Sequence, residues 1–206
     1  MSKLVIFGAN GATGHAIVEQ ALNAGHTVRA VVRTTFRADL PNLEVLRGNV
    51  LDPADVSAAI AGQDAVISAI GPSGSRANGL YSTSAQHFVT AMLEENVDRI
   101  VVLSSSGVRH GDPHHPLWYR AVARTLMREL YGDMRAMEHI LEDSGLNWTA
   151  VRPTRIVDTP ATGTYRVGDA ENPAGGTAIN RDDLARFVVQ ETMEDRWSRS
   201  RPTLAH

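Results

Sequence analysis

The sequence of 206 residues has no cysteine and a single lysine, Lys3. The lack of thiols excludes a disulfide scaffold, a thiolate zinc site, an iron–sulfur cluster and a cysteine nucleophile. We predict no metal site of another kind, because His110, His114 and His115 lie in a proline-rich loop that is typical of turns. Since arginine carries almost all of the positive charge, a mechanism that needs a lysine amine has only Lys3 to use.

Long apolar runs and a net positive charge are missing as well. No run approaches the roughly 18 residues of a membrane span, and residues 1–7 lack the apolar segment of a signal peptide. The formal net charge of -3 gives no broad positive field that would favour a nucleic acid. We therefore expect a cytoplasmic protein, a monomer or small homo-oligomer, whose partner is a small molecule and neither a nucleic acid nor a membrane.

Short apolar segments alternate with amphipathic segments along the chain. Strands are predicted at 3–7, 27–32, 43–46, 65–70, 99–103, 148–151 and 164–167, and helices at 12–24, 54–61, 82–94, 116–142 and 182–193. Gly132 is a candidate break in the longest helix. Strands that alternate with helices form right-handed crossovers and a mostly parallel sheet. The sequence thus predicts one α/β domain over 1–206, a doubly wound Rossmann fold with a small C-terminal extension on the substrate side.

A glycine-rich loop lies between the first predicted strand and the first predicted helix. Glycines let the backbone turn tightly and approach phosphates closely, and the helix N-terminus favours negative charge. The predicted cofactor contacts of this loop are Gly8, Asn10, Gly11, Ala12, Thr13 and Gly14. A strand, loop, helix and second strand in this order are more specific for a dinucleotide than the glycines alone.

The end of the second predicted strand indicates which dinucleotide is bound. A carboxylate there would accept hydrogen bonds from the ribose 2′-hydroxyl of NAD(H). The sequence has Arg33 instead, and Arg37 follows four residues later. Two guanidinium groups can hold a 2′-phosphate by charge-assisted hydrogen bonds, so NADP(H) is favoured over NAD(H); the alternative is that both arginines are solvated surface charges.

At this point the sequence resembles the atypical short-chain dehydrogenases/reductases, in the NmrA-like and flavin reductase/biliverdin-IXβ reductase branch. The blocks that carry the resemblance are 8–14, 31–33 with Arg37, 48–52, 61–66, 101–106, 144–146, 151–153, 162–165 and 179–187. The further cofactor contacts that it implies are Asn49 and Val50 at the adenine, Ala69, Ile70 and Gly71 at the ribose, and Pro153 near the nicotinamide. Asn49 departs from the aspartate that is common in this family, although an amide can still hydrogen-bond to the ring edge.

The catalytic pattern departs further from the family. Many short-chain dehydrogenases use a Tyr-x-x-x-Lys pair, in which the ammonium lowers the tyrosine pKa. Here Tyr119 is followed at the fourth place by Ala123 and Tyr131 by Arg135, which supplies positive charge but does not transfer a proton. Alcohol and ketone chemistry is therefore disfavoured, whereas the flavin reductase branch works without this pair.

The remaining catalytic candidates follow predicted strands. Ser104, Ser105 and Ser106 come after the fifth strand, where ligands bind in open α/β sheets. We assign Ser104 to the cofactor contacts, and the resemblance points to Ser105, or to Ser106 in an epimerase-type alignment, as the residue that orients the substrate. With Tyr131 from the longest predicted helix, the candidate catalytic residues are Ser105, Ser106, Tyr131 and Arg155. The resemblance to the biliverdin reductase branch implies that Arg155 faces the substrate, where it would bind a carboxylate or a negatively charged product.

Together these features predict an NADPH-dependent reductase that transfers hydride to a small conjugated acceptor, such as a flavin, a quinone-like compound or a tetrapyrrole. The substrate side is expected at 107–135 and 152–180, with 107–116 as a lid. Two alternatives remain open at this stage: an NmrA-like NADP(H) sensor without turnover, and a non-redox isomerase, epimerase or cyclase on the same fold.

Overall fold

The computed structural model describes residues 1–36, 40–74, 76–109, 111–114 and 125–206. The ten strands in these ranges are β1 Lys3–Phe7, β2 Thr27–Val32, β3 Leu43–Arg47, β4 Ala65–Ser68, β5 Arg99–Leu103, β6 Asn147–Pro153, β7 Arg155–Val157, β8 Arg166–Asp169, β9 Ala178–Asn180 and β10 Pro202–Ala205. The helices are α1 Ala12–Asn23, α2 Pro53–Ile60, α3 Leu80–Glu95, α4 Arg128–Asp143 and α5 Arg181–Glu194. No helix in the described ranges has the length and apolar character needed to cross a membrane.

The main sheet has eight strands in the order β3-β2-β1-β4-β5-β6-β10-β8. All neighbours are parallel except β10 and β8, which are antiparallel, and β7 pairs with β9 in a separate two-stranded sheet. The chain runs outwards from β1 to β3 on one side and from β4 to β6 on the other. The reversal of strand order between β1 and β4 leaves a crevice outside the carboxyl ends of these two strands. Open α/β sheets bind ligands in such a crevice.

Apolar side chains cover both faces of the sheet, as a buried parallel sheet requires. One core contains side chains of α2, α3 and α4, and the other contains side chains of α1 and α5. The strand β1 contributes to both, because Val5 and Phe7 point to the first core while Leu4 and Ile6 point to the second. This packing fixes the strand whose carboxyl end continues into the glycine-rich loop.

The predicted α/β fold is confirmed, with differences in the C-terminal third. The predicted strand at 164–167 lies two residues later, at Arg166–Asp169, and the strands at 155–157, 178–180 and 202–205 were not predicted. They are short, and β10 is recognisable only through its partners, β6 and β8. Part of the predicted helix 116–142 lies outside the described residues, but α4 continues through Gly132 without a break.

Gly132 is therefore a weak point inside a regular helix. An added Cβ would meet nothing closer than the Arg135 Nη2 atom at 4.0 Å. We expect Gly132→Ala to raise the free energy of unfolding by about 0.5–1 kcal/mol, because alanine loses less backbone entropy on entering a helix. Urea denaturation measures this change; a lower midpoint in the variant would contradict it.

Candidate functional site

A cleft of about 760 Å³ lies at the carboxyl ends of β1 to β6. Its walls come from the loops that follow these strands, together with side chains of α3, α4, β7 and the first residue of α5. The predicted cofactor contacts that line it are Gly8, Asn10, Gly11, Ala12, Thr13, Arg33, Asn49, Val50, Ala69, Ile70, Gly71, Ser104 and Pro153. The volume falls within the range of small-molecule sites, roughly 300–1,000 Å³.

Close packing of backbone on backbone holds the glycine-rich loop in place. Gly8 has a φ of 79°, and an added Cβ there would lie 2.5 Å from the Ala69 carbonyl oxygen. The Gly11 N–H donates to the Gly8 carbonyl at 2.9 Å and closes the turn. Gly14 does not line the cleft as predicted, because it packs behind the loop, where a Cβ would overlap the Gly8 carbonyl oxygen. Its role is to let α1 approach β1.

The N-terminus of α1 is open towards the cleft. Its N-cap residue is Gly11, which provides no side-chain cap, and its first turn has no acidic residue. By contrast, the Asp52 carboxylate caps α2 and the Asn180 side chain caps α5. The first N–H groups of a helix have no partner within the helix, so those of α1 are left for an anionic ligand. The loop therefore fits the pyrophosphate of a dinucleotide.

The charge on the described lining of the cleft is entirely positive. Arg33 and Arg181 are the charged side chains of this lining, which contains no carboxylate, imidazole or amine. Arg33 follows β2, and its Nη2 donates to the Ser73 hydroxyl at 3.0 Å. Arg181 reaches the glycine-rich loop, where its Nη1 donates to Thr13 Oγ1 at 2.7 Å. Two cations at separate places favour a ligand with separate negative groups.

The side of the cleft next to β2 and β3 has its own hydrogen bonds. Asn10 Nδ2 donates to Thr34 Oγ1 at 3.0 Å, which joins the glycine-rich loop to the segment after β2. The Asn49 side-chain oxygen accepts from the Leu51 N–H at 3.1 Å, and the Asn49 N–H donates to Asp55 at 2.9 Å. Asn49 is thus held in a local turn at the cleft wall. Arg37 lies outside the described residues, so its predicted phosphate contact stays a prediction.

Ser104 is anchored to a buried carboxylate. Its hydroxyl donates to Glu138 Oε1 at 2.6 Å, and Glu138 is 2% exposed. The same carboxylate accepts hydrogen bonds from Arg152 and Arg201 at 2.5 Å and 3.2 Å. Because the Ser104 proton points to Glu138, the serine presents oxygen lone pairs to the cleft and can accept a hydrogen bond from a ligand amide.

The tyrosine that lines the described part of the cleft is Tyr81, on α3. Burial, with a smaller contribution from the Asp133 carboxylate, raises the pKa of Tyr81 to about 12. Asp133 itself caps α3, accepting from the Tyr81 N–H at 2.8 Å and from the Ser82 hydroxyl at 2.5 Å. A neighbouring lysine would lower the pKa of a tyrosine, whereas the pKa of Tyr81 is raised. Tyr81 therefore stays neutral and is a poor proton donor.

The four predicted catalytic residues, Ser105, Ser106, Tyr131 and Arg155, are not among the described residues that line the cleft. Ser105 accepts from the Gly107 N–H at 3.3 Å and caps a 3₁₀ turn over Ser106–Val108. Tyr131 is 5% exposed, and its ring lies against the Gly107 backbone. Arg155 begins β7 and is exposed. Their catalytic role stays a prediction.

The two predicted substrate-side segments contact each other. Arg109 Nη1 donates to the Ala170 carbonyl at 3.0 Å, and the buried Asp112 accepts from the Asn172 N–H at 2.9 Å. His114, in the predicted lid, donates its N–H to Asp112 at 2.9 Å. The predicted residues His110, His115, Tyr119 and Ala123 lie outside the described residues.

Sequence reasoning missed Arg181 and Glu138. The Arg181 contact joins residues that are 168 positions apart, so no local pattern indicates it. Glu138 carries a local signal, because it lies on α4 between Met134, Met137 and Leu141, which are buried at helical spacing. A carboxylate in such an apolar stripe is normally paired with a cation.

The fold and the cleft are those of a dinucleotide-binding Rossmann protein. The family model of NAD(P)H-binding proteins matches residues 8–195, and the chain belongs to this family. Family membership makes it an NAD(P)H-binding protein.

Two curated relatives align over most of the chain. An uncharacterised chloroplast protein of Arabidopsis thaliana is 30% identical over 94% of this chain and 72% of its own length. A Bacillus subtilis protein named as an uncharacterised sugar epimerase is 29% identical over 91% of this chain and 86% of its own length.

Two solved structures align with the whole chain. A Burkholderia pseudomallei protein named as a candidate exported protein has a TM-score of 0.82 and 29% identity, with 100% of both chains covered. A Streptococcus pneumoniae protein named as a candidate NADH-flavin reductase has a TM-score of 0.81 and 24% identity over 100% of both chains. At 24% identity, the comparison with the Streptococcus pneumoniae protein shows only that the two chains share a fold.

Proposed function

We propose that this protein is an NADPH-dependent reductase that transfers hydride to a small conjugated acceptor, such as a flavin, a quinone-like compound or a tetrapyrrole. The observation that carries the proposal is a continuous cleft with two different ends. The β1–β2 end has the open helix N-terminus and Arg33, while the β5–β6 end has apolar side chains that include Leu103, Met134 and Ile156. The first end suits a phosphorylated dinucleotide, and the second suits a flat apolar ring.

The residues of the β1–β2 end would hold the cofactor. The first-turn N–H groups of α1 and the Thr13 hydroxyl would bind the pyrophosphate, and Arg33 would bind the 2′-phosphate of the adenosine ribose. Ser104 would accept a hydrogen bond from the carboxamide of the nicotinamide. When bound, the dihydronicotinamide supplies the hydride; the protein contributes binding, orientation and the exclusion of water.

The side chains of the described lining support a conjugated acceptor. Without a carboxylic acid, an imidazole or an amine, and with a tyrosine whose pKa is raised, these residues offer no efficient proton donor. A conjugated acceptor spreads the charge that arrives with the hydride and takes its proton from solvent. The likeness in fold to the candidate NADH-flavin reductase agrees with this choice.

Cofactor preference is tested with Arg33→Gln. We expect the Kd for NADPH to rise about tenfold or more, as the loss of a charge-assisted hydrogen bond predicts. The Kd for NADH should change by less than about twofold, since NADH has no 2′-phosphate. Calorimetric titration measures both constants. A variant that loses affinity for both cofactors equally would remove the basis for the NADPH preference.

Turnover is tested by following NADPH oxidation at 340 nm with flavins, quinones and tetrapyrroles as acceptors. Oxidation that depends on enzyme and acceptor supports the reductase. Tight NADPH binding with no oxidation of any acceptor would favour the NmrA-like sensor. An absence of NADPH and NADH binding would favour a non-redox isomerase or epimerase, as the name of the Bacillus subtilis relative suggests.

A further inference from the structure

A cation from the C-terminal part of the chain enters the proposed phosphate site. Arg181 is the first residue of α5, directly after the N-cap residue Asn180. Its side chain is 20% exposed, lines the cleft and reaches Thr13 in the glycine-rich loop. In a Rossmann fold the βαβ unit binds the pyrophosphate through backbone groups, so a guanidinium from α5 is an addition to that unit.

The hydrogen bonds of Arg181 orient it and leave donors free. Its Nη1 donates to Thr13 Oγ1 at 2.7 Å, while Nε and Nη2 donate to the Asp158 carboxylate at 2.6 Å and 3.1 Å. A guanidinium has five N–H groups, so these bonds to described residues use three of the five. Thr13 accepts from Arg181 and therefore keeps its own hydroxyl proton for a ligand.

We infer that Arg181 binds the pyrophosphate of the dinucleotide, with its two remaining N–H groups and through the Thr13 hydroxyl that it orients. The inference rests on the proposed cofactor and adds a division of roles between the two cations of the cleft. Arg181 recognises the pyrophosphate, which NADH and NADPH share, whereas Arg33 recognises the 2′-phosphate, which only NADPH has. The Asp158 carboxylate follows β7, is 76% exposed and orients the Arg181 side chain through two hydrogen bonds.

Two fragments of the cofactor separate these roles. ADP-ribose contains the pyrophosphate and lacks the 2′-phosphate. Adenosine 2′-monophosphate contains the 2′-phosphate and lacks the pyrophosphate. For Arg181→Gln we expect the Kd for ADP-ribose to rise about tenfold and the Kd for adenosine 2′-monophosphate to stay within about twofold. Arg33→Gln should show the reverse pattern, and with whole cofactors Arg181→Gln should weaken NADH and NADPH by the same factor.

The matched control is Arg186→Gln, which removes the same charge from an exposed position of the same helix. Its affinity for ADP-ribose should equal that of the original protein, which excludes a general effect of net charge. Arg181→Lys keeps the charge and should retain part of the affinity for ADP-ribose. If Arg181→Gln does not fold, the same titrations are made with Arg181→Lys.

Two outcomes would overturn the inference. One is an unchanged Kd for ADP-ribose in Arg181→Gln. The other is an equal loss of affinity for both fragments, which would show that Arg181 only ties α5 to the glycine-rich loop. A failure of the original protein to bind NADPH, NADH or ADP-ribose would instead contradict the proposed function itself.

Discussion

Gly14→Ala is expected to abolish measurable cofactor binding and to destabilise the fold. The new methyl group would overlap the Gly8 carbonyl oxygen, and it would also lie 2.8 Å from the Gly8 carbonyl carbon. Both atoms belong to the backbone, so α1 must move away from β1 or the loop must change shape. Overpacking of this kind costs about 1–3 kcal/mol of unfolding free energy. The N–H groups of α1 move with the helix, and the anion site is lost.

The measurement is calorimetric titration with NADPH and NADH, together with thermal unfolding. Gly132→Ala is the matched control, because it makes the same substitution where the added Cβ has 4.0 Å of space, and it should bind both cofactors like the original protein. Gly11→Ala is a milder variant, since its Cβ would lie 3.3 Å from the Gly8 carbonyl oxygen. It should fold and bind at least tenfold more weakly, about 1.4 kcal/mol. Unchanged affinity in Gly11→Ala and Gly14→Ala would show that the loop does not hold the cofactor.

The fold was predictable because its strongest signals are local. The strands β1, β2 and β5 are apolar runs bounded by turn residues, and the structure places them at the predicted residues. The C-terminal strands gave no such signal. The strand β10 is buried because β6 and β8 flank it. Its strand conformation therefore depends on tertiary contacts and not on a pattern within its own four residues.

The two ends of the cleft differ in how far the sequence could predict them. The glycine-rich loop and Arg33 belong to one βαβ unit, in which short-range order fixes their positions. The β5–β6 end depends on where α3, α4 and α5 pack, and such long-range contacts leave no local pattern. Tyr131 illustrates the difference: it is a catalytic candidate from the sequence, but its ring packs on Gly107, while Tyr81 from another helix lines the cleft.

Glu138→Gln is expected to cause a large loss of stability. The Glu138 carboxylate is 2% exposed and pairs with Arg152, whose side chain is 8% exposed. The substitution keeps the shape of the side chain but leaves the Arg152 guanidinium buried without a counter-charge. Breaking one partner of a buried ion pair costs about 3–5 kcal/mol, because the remaining charge has lost its hydration and its partner. Chemical denaturation measures this loss.

Glu142→Gln provides the control on the same helix, one turn later. Glu142 pairs with Arg201 at 2.8 Å, but its side chain is 48% exposed, so water replaces the lost partner and the cost should stay below about 1 kcal/mol. Replacing Glu138 and Arg152 together by methionine removes both buried charges and should recover most of the stability that Glu138→Gln loses. Equal effects of Glu138→Gln and Glu142→Gln would contradict a buried pair.

If the double variant is stable but binds NADPH more weakly, the ion pair acts through Ser104, which loses its hydrogen-bond acceptor and with it the fixed direction of its lone pairs.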